Sequence, residues 1–166
     1  MTTEQEQTAA TAVRRSITVD APVERAFEVF TDRFDTWWPM DYHTGDQEPE
    51  AVVIEPRVEG RWYERAPDGT ESDWGVVLAW EAPTRLVLAW RLDAEWNHNP
   101  DPAKQTEIEV RFVAEGAGRT RLDLEHRLLE RFGDDAEQMR ATFDSDAGWV
   151  GLLKRYADAV TSADSS

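Results

Sequence analysis

The strongest structural signal of the chain lies in residues 60–92, GRWYERAPDGTESDWGVVLAWEAPTRLVLAWRL. Apolar and polar side chains alternate through three segments here, which is typical of antiparallel strands with one face towards a core. Pro67-Asp68-Gly69 predicts the first hairpin turn and Ala82-Pro83-Thr84 predicts the second. The alternation places four tryptophans on one face of the predicted sheet: Trp62, Trp74, Trp80 and Trp90.

Opposite charges across the two turns predict the register of these strands, because oppositely charged side chains favour directly facing positions. The first hairpin is predicted to pair Arg65 with Glu71, Glu64 with Ser72, and Trp62 with Trp74. The second is predicted to pair Glu81 with Arg85, Trp80 with Leu86, Leu78 with Leu88, and Val76 with Trp90. A slip by one residue would turn these side chains to the other face.

Helical and strand patterns flank this region on both sides. Before it, the sequence predicts a strand over 14–19 and a second strand over 51–55. Between them an amphipathic helix is predicted after Pro22, with one apolar stripe formed by Val23, Ala26, Phe27 and Phe30. A helical turn with Phe34, Trp37 and Trp38 follows this helix and ends at Pro39. After it come a loop over 93–104, strands around Ile108 and Leu122, and a long helix capped by Asp144 or Ser145 with Trp149, Leu152, Leu153, Tyr156 and Val160 on one stripe. Gly148 and Gly151 predict a close backbone approach of this helix to the sheet or to a ligand.

Composition narrows the possible partners. The formal net charge of -16 in 166 residues disfavours nucleic acid and anionic membranes, which bind through lysine and arginine. There is no cysteine, which favours a cytoplasmic location, and no apolar run approaches the length of a membrane span. The length fits one domain, expected over residues 13–160, with disordered tails over 1–12 and 161–166.

The inward-facing side chains are the candidate functional residues. Tryptophans offer a large apolar surface with one N–H donor, which suits an aromatic or lipid-like ligand. Glu64 and His126 are the two inward groups able to move a proton, and His126 is expected opposite Ile108. The predicted ligand-binding set is Trp38, Trp62, Glu64, Ser72, Trp74, Trp90, His126 and Trp149.

Each of these residues also has a purely structural interpretation. The tryptophans fill a core, Glu64 pairs with an arginine or with backbone donors, and His126 is a satisfied core histidine. Of Trp37 and Trp38, which lie on a segment expected to close one end of the sheet, one is expected in the core and the other as a lid, and the sequence does not distinguish them.

Motifs for several chemistries are missing from the sequence. There is no G-x-S-x-G elbow, no H-E-x-x-H pair, no phosphate-binding glycine loop and no dinucleotide fingerprint. Asp41, His43 and Asp46 lie close together but without helix or strand spacing, so we expect a surface loop and no metal site there. The sequence therefore predicts no cofactor.

Three phrases resemble a known family: APVERAFEVFTDRFDTWWP over 21–39, EGRWYERAPDGTESDWGVVLAWEAPTRLVLAW over 59–90, and TRLDLEHRLLERFGD over 120–134. They are similar to the START-like superfamily, also called SRPBCC, in the branch named for homology to the activator of the ninety-kilodalton heat-shock chaperone ATPase. The resemblance implies an α+β helix-grip fold, in which a curved antiparallel sheet of about seven strands wraps round a long C-terminal helix. Two short helices follow the first strand, and a cavity lies between sheet and helix.

Three functions follow from these observations. The first is binding of a hydrophobic, aromatic or lipid-like small molecule without catalysis. The second, implied by the resemblance to polyketide cyclases and dehydratases, is an enzyme that uses Glu64 or His126 for proton transfer. The third is regulation of a chaperone ATPase, as the branch name implies. A homodimer through an antiparallel edge or Trp96 is a further expectation.

Overall fold

A seven-stranded antiparallel sheet forms the body of the protein in the computed structural model. The structure describes residues 12–39, 48–92, 101, 104–146 and 148–164. The strands are β1 (Val13–Val19), β2 (Ala51–Ile54), β3 (Arg61–Arg65), β4 (Glu71–Glu81), β5 (Arg85–Trp90), β6 (Thr106–Ala114) and β7 (Thr120–Arg127). Their order in the sheet is β1-β7-β6-β5-β4-β3-β2. The predicted helix-grip architecture is confirmed.

The helices cover the inner face of the sheet. In the described residues the helical elements are α1 (Val23–Thr31), a 3₁₀ turn (Phe34–Thr36), a second 3₁₀ segment (Leu129–Asp135), α2 (Ala136–Phe143) and α3 (Trp149–Asp164). The predicted apolar stripe of the last helix is buried at all of its positions: Trp149, Leu152, Leu153, Tyr156 and Val160. The Tyr156 hydroxyl donates to the Ala26 carbonyl at 2.6 Å, which ties α3 to α1.

Two bulges in β4 correct the predicted register. The outer pairs Arg65 with Glu71, Glu64 with Ser72, Glu81 with Arg85 and Trp80 with Leu86 form as predicted. Further from the turns the observed pairs are Trp62 with Gly75, Val77 with Leu88, Val76 with Ala89, and Gly75 with Trp90. The predicted pairs of Trp62 with Trp74, Leu78 with Leu88 and Val76 with Trp90 are therefore wrong. The extra residues are Trp74 and Leu78, and a bulge of this kind bends a strand and increases its twist.

Gly75 is the residue that allows this arrangement. It lies opposite Trp62 on one side and Trp90 on the other. A Cβ atom at this position would overlap the Ala89 carbonyl oxygen and would lie 3.2 Å from Trp62 Cε3. Because no side chain stands here, Trp62 and Trp90 approach each other across the glycine, with ring centroids 5.7 Å apart.

The corner before α3 differs from the prediction. Neither predicted cap serves the helix, since the Ser145 hydroxyl donates to the Thr142 carbonyl at 2.7 Å and the Asp144 carboxylate accepts from Arg15 of β1. Gly148 and Gly151 allow close approach, but to the backbone of this corner and not to the sheet or a ligand: a Cβ at either would overlap a carbonyl oxygen of residues 142–146.

Some predicted boundaries change and two elements are new. The last helix continues to Asp164, beyond the predicted domain end at Val160. The second 3₁₀ segment and α2 were absent from the predicted order of elements, and α2 buries only Met139 and Phe143. Residues 1–11 of the predicted first tail and most of the predicted loop over 93–104, with Trp96 and His98, lie outside the described residues.

Candidate functional site

Three neighbouring strands hold Trp62, Trp74 and Trp90 on the inner face of the sheet, as the alternation predicts. The ring centroid of Trp62 lies 5.6 Å from that of Trp74 and 5.7 Å from that of Trp90, in the edge-to-face geometry that aromatic rings favour. Each of the three side chains is at most 3% exposed. Trp80, the fourth tryptophan predicted on this face, packs on Phe27 of α1 further along the sheet.

The segment after the first 3₁₀ turn covers these indoles. Trp37 is held in the core, since its Nε1 donates to the Val29 carbonyl at 3.1 Å and its own carbonyl accepts from Arg155 of α3 at 2.8 Å. Trp38 stacks on Phe34 with centroids 5.0 Å apart and planes 23° apart. Both tryptophans of the pair lie in the core, since Trp37 is 1% exposed and Trp38 is 5% exposed.

Trp38 also connects the two walls of the site. Its ring centroid lies 5.4 Å from Trp74 of the sheet and 6.2 Å from Trp149 of α3. Trp38 belongs to no helix or strand, whereas Trp74 and Trp149 stand on regular elements. Its indole therefore occupies the space between sheet and last helix.

Glu64 brings a carboxylate into this apolar wall. It is 2% exposed, and its Oε1 accepts a hydrogen bond of 2.7 Å from Trp74 Nε1. A buried carboxylate is costly unless it is hydrogen-bonded, and bonds to an ionised acceptor are among the stronger ones. Ser72 faces Glu64 in the predicted register and is half-buried. The Glu64 carboxylate is thus the acceptor that holds the Trp74 indole in this wall.

His126 lies at the other end of the aromatic cluster, opposite Ile108 as predicted. Trp149 Nε1 donates to His126 Nδ1 at 3.2 Å, so the ring proton is assigned to Nε2, which lies 2.8 Å from Thr106 Oγ1. The side chain is completely buried, and this burial lowers the pKa of His126 from 6.5 to about 3. Both ring nitrogens are used inside the protein, which is the arrangement of a satisfied core histidine.

The two candidate proton-transfer residues are far apart in the sheet. Glu64 stands on β3 and His126 on β7, and the order of the strands puts β4, β5 and β6 between them. Adjacent strands are spaced by roughly 4.8 Å, so the two groups do not form one acid–base pair. Glu64 is joined to Trp74, whereas His126 is joined to Trp149 and contacts Trp90 at a centroid distance of 5.5 Å.

Two residues that position the site were not among the sequence candidates. Thr106 binds His126, and the inward alternation of β6 through Ile108 was a signal that would have found it. Phe143 packs on His126 with ring centroids 4.3 Å apart, but it lies on α2, for which the sequence gives no clear pattern.

The site as described is closed. The indoles of the predicted ligand set are each at most 5% exposed: Trp38, Trp62, Trp74, Trp90 and Trp149. Their rings pack against one another and against Phe34, so these aromatic side chains form one contiguous cluster between the sheet and α3.

Two other features of the described residues bear on function. No group of three or more His, Asp or Glu side chains there is arranged to hold a metal ion, and the trio Asp41, His43 and Asp46 lies outside the described ranges. None of the helices within those ranges combines the length and the apolar character that crossing a bilayer requires.

Comparisons with known proteins agree with this geometry. The sequence pattern of the family described as "Activator of Hsp90 ATPase homolog 1-like protein" matches residues 20–160. No curated protein matches the chain. One similar solved structure is an anthrahydroquino-gamma-pyrone synthase, Txn09, complexed with SUM: it is 42% identical, with 89% of this chain and 96% of that chain covered and a TM-score of 0.64.

Two further structures extend the comparison. The self-sacrificing resistance protein CalC from Micromonospora echinospora is 33% identical, with 92% of this chain and 95% of that chain covered and a TM-score of 0.68. Protein NE0264 from Nitrosomonas europaea shares the fold at 13% identity, with 93% and 97% covered and a TM-score of 0.66. The fold and these relatives support a ligand-binding helix-grip domain. The chain belongs to the family of Activator of Hsp90 ATPase homolog 1-like proteins, a branch of the START-like superfamily.

Proposed function

We propose that the protein binds a flat, largely apolar aromatic small molecule between the inner face of the sheet and α3. The observation that carries the proposal is the stacking of Trp38 on Phe34, because an indole from an irregular segment here fills a slot between rings fixed on regular elements. A ligand with a planar ring system would make the same contacts. The name of Txn09, an anthrahydroquino-gamma-pyrone synthase, refers to a polycyclic aromatic compound and supports this ligand class.

Binding then requires that Trp38 leave its slot. Trp37 stays in place through its hydrogen bonds to Val29 and from Arg155. Trp38 thus competes with the ligand, and the apparent affinity is reduced by the fraction of molecules in which the slot is occupied.

A thermal-shift titration with a panel of planar ligands, among them fluorenone, flavone and naphthalene, tests this function. Ligand at about 100 times its dissociation constant stabilises the fold by about 2.7 kcal/mol, which raises the melting temperature measurably. Trp38→Ala removes the competitor and should tighten binding, by the inverse of the fraction of native molecules in which the slot is open. Trp74→Ala removes a wall of the slot and should weaken binding.

Trp80→Ala is the matched control, because Trp80 packs on Phe27 away from the slot. The Trp80→Ala protein should bind ligand as the native chain does. A panel that stabilises neither the native chain nor the Trp38→Ala protein would refute the proposal.

A cyclase-type enzyme is the second candidate, favoured by the 42% identity to a pyrone synthase together with the buried carboxylate of Glu64. In this proposal the pocket folds a reactive carbonyl chain, and Glu64 removes a proton from the carbon next to one carbonyl. The enolate carbon attacks a second carbonyl of the same chain, the C=O π bond of that carbonyl breaks, and its oxygen takes up the proton as the ring closes. His126 is a poor base here, because both of its nitrogens are engaged and burial lowers its pKa to about 3.

An aryl-substituted poly-β-ketone is the probe for this activity, and liquid chromatography measures its conversion to the cyclised product. General-base catalysis contributes about 100-fold or more, so Glu64→Gln should reduce turnover by at least that factor. Glu71→Gln, at an exposed position of the same hairpin, should leave turnover unchanged. Equal turnover in the native, Glu64→Gln and His126→Ala proteins would exclude this candidate.

A further inference from the structure

The indole N–H groups of the cluster differ in how they are satisfied. Trp37 Nε1 donates to a backbone carbonyl at 3.1 Å, Trp74 Nε1 to Glu64 at 2.7 Å, and Trp149 Nε1 to His126 at 3.2 Å. Trp62 Nε1 is completely buried and has no hydrogen-bond acceptor among the residues that the structure describes. Buried polar groups are nearly always paired, so this donor requires an explanation.

The surroundings of Trp62 hold its ring in place without offering an acceptor. Its neighbours are the rings of Phe34, Trp74 and Trp90, at centroid distances of 5.8, 5.6 and 5.7 Å. Gly75 lies opposite on β4, where there is no space for a Cβ atom between the backbone of Ala89 and the indole. A trapped water would need two or more polar partners, which these rings do not supply.

Trp62 lies next to the slot that Trp38 fills. Phe34 contacts both Trp38 and Trp62, and Trp74 also contacts both, at 5.4 and 5.6 Å. A single ring in the place of Trp38 would touch Phe34 and Trp74, and a fused system of two or three rings would extend towards Trp62.

We propose that the Trp62 N–H is the hydrogen-bond donor that selects aromatic ligands carrying a carbonyl oxygen, such as aryl ketones and quinones, over hydrocarbons of the same shape. The inference rests on the proposed binding function. A carbonyl oxygen accepts without needing a donor in return, which suits a site whose unmatched group is one N–H. An anionic acceptor is disfavoured, because it would be buried in the same wall as the Glu64 carboxylate.

The test compares 9-fluorenone with fluorene, two planar tricycles that differ by a carbonyl oxygen in place of two hydrogens. In the native chain fluorenone should bind about fivefold more tightly, the factor that one neutral hydrogen bond supplies. Replacing Trp62 by 3-benzothienylalanine keeps the ring size and exchanges the N–H for sulfur, and the preference should fall to about one. The same replacement at Trp80, which packs on Phe27 away from the slot, should preserve the preference.

Infrared spectroscopy reads the bond directly. The carbonyl stretch of bound fluorenone should shift to lower frequency in the native chain. In the variant with 3-benzothienylalanine in place of Trp62, the stretch should return to the frequency of fluorenone without a hydrogen bond. Trp62→Phe serves as a second variant, with circular dichroism reporting its folding. Binding of both tricycles with no preference, or with a preference that survives replacement of Trp62, would overturn this inference and leave the binding function standing. Binding of neither tricycle nor of any other planar ligand would refute both.

Discussion

Acid should destabilise this protein through His126, and the size of the effect follows from its burial. The pKa of His126 falls from 6.5 in the unfolded chain to about 3 in the fold because the ring is completely desolvated. The unfolded chain therefore binds more protons between these two values. The stability that the neutral ring supplies is fully present above pH 6.5 and is lost as the pH falls towards 3.

Linkage gives the magnitude of this loss. Between about pH 7.5 and about pH 5, a single group with these two pKa values removes about 2 kcal/mol from the free energy of unfolding. Urea unfolding at both pH values, followed by tryptophan fluorescence, measures the change. His126→Gln provides the comparison, since its side chain does not titrate and can still accept from Trp149.

The difference between the two proteins isolates this residue. Protonation of carboxylates such as Glu109 also lowers the free energy of unfolding in acid. Both proteins contain these carboxylates, and both contain His43 and His98, so their contributions cancel in the difference. The variant should be less stable than the native chain at pH 7.5, and the gap should narrow by about 2 kcal/mol at about pH 5. An equal acid-induced loss in both proteins would show that His126 is not held neutral by burial.

Three other expectations can be measured by the same unfolding assay. Gly75→Ala should destabilise the fold by about 2 kcal/mol or more, because its Cβ would overlap the Ala89 carbonyl, whereas Gly118→Ala, with nothing within 4 Å, should be nearly neutral; equal effects would refute the role of Gly75. Glu109→Gln should cost about 1 kcal/mol at low salt and less at high salt, since Glu109 accepts from Arg85 at 2.6 Å and from Arg111 and Arg127 at 3.0 Å; a cost independent of salt would contradict this ion-pair network. Tyr156→Phe should cost about 1 kcal/mol through the lost bond to Ala26, and an unchanged stability would show that this bond between α3 and α1 contributes little.

Local patterns were enough to predict most of the strands and helices, whereas their helix-grip arrangement was implied by the resemblance to the START-like superfamily. The turn sequences and charge pairs fixed the positions next to each turn, so Arg65 with Glu71 and Glu81 with Arg85 were predicted correctly. The bulges were not predictable in this way, because an alternation of period two assumes one residue opposite one residue. Gly75 was the available signal, since a glycine inside a strand often marks a bulge or a close approach.

The sequence predicted which side chains of the site lie on the inner face of the sheet, but it did not predict the hydrogen bonds between them. Alternation placed Glu64 and His126 on the inner face, because the side-chain direction depends only on the position along each strand. The bond from Trp74 to Glu64 depends on the bulge, and the bond from Trp149 to His126 depends on where α3 begins, and neither is encoded locally. Core filling by the tryptophans was one of the two interpretations that the sequence left open, but the packing of Trp38 on Trp74 and Trp149 could not be derived locally, because it joins distant elements.

The chaperone-regulator alternative and a homodimer stay predictions. An ATPase assay with a heat-shock chaperone and analytical ultracentrifugation address them separately. Stimulation of the chaperone's ATPase activity would favour the regulator. A sedimenting species with twice the mass of the monomer would favour a dimer through a sheet edge.

A crystal structure of the chain with the most tightly bound ligand of the aromatic panel tests the central claim most directly. The ligand should lie beneath α3, with its rings against Phe34 and Trp74 and with the Trp38 indole moved out of its present position. A ligand on the outer surface, with the stacking of Trp38 on Phe34 unchanged, would contradict the account.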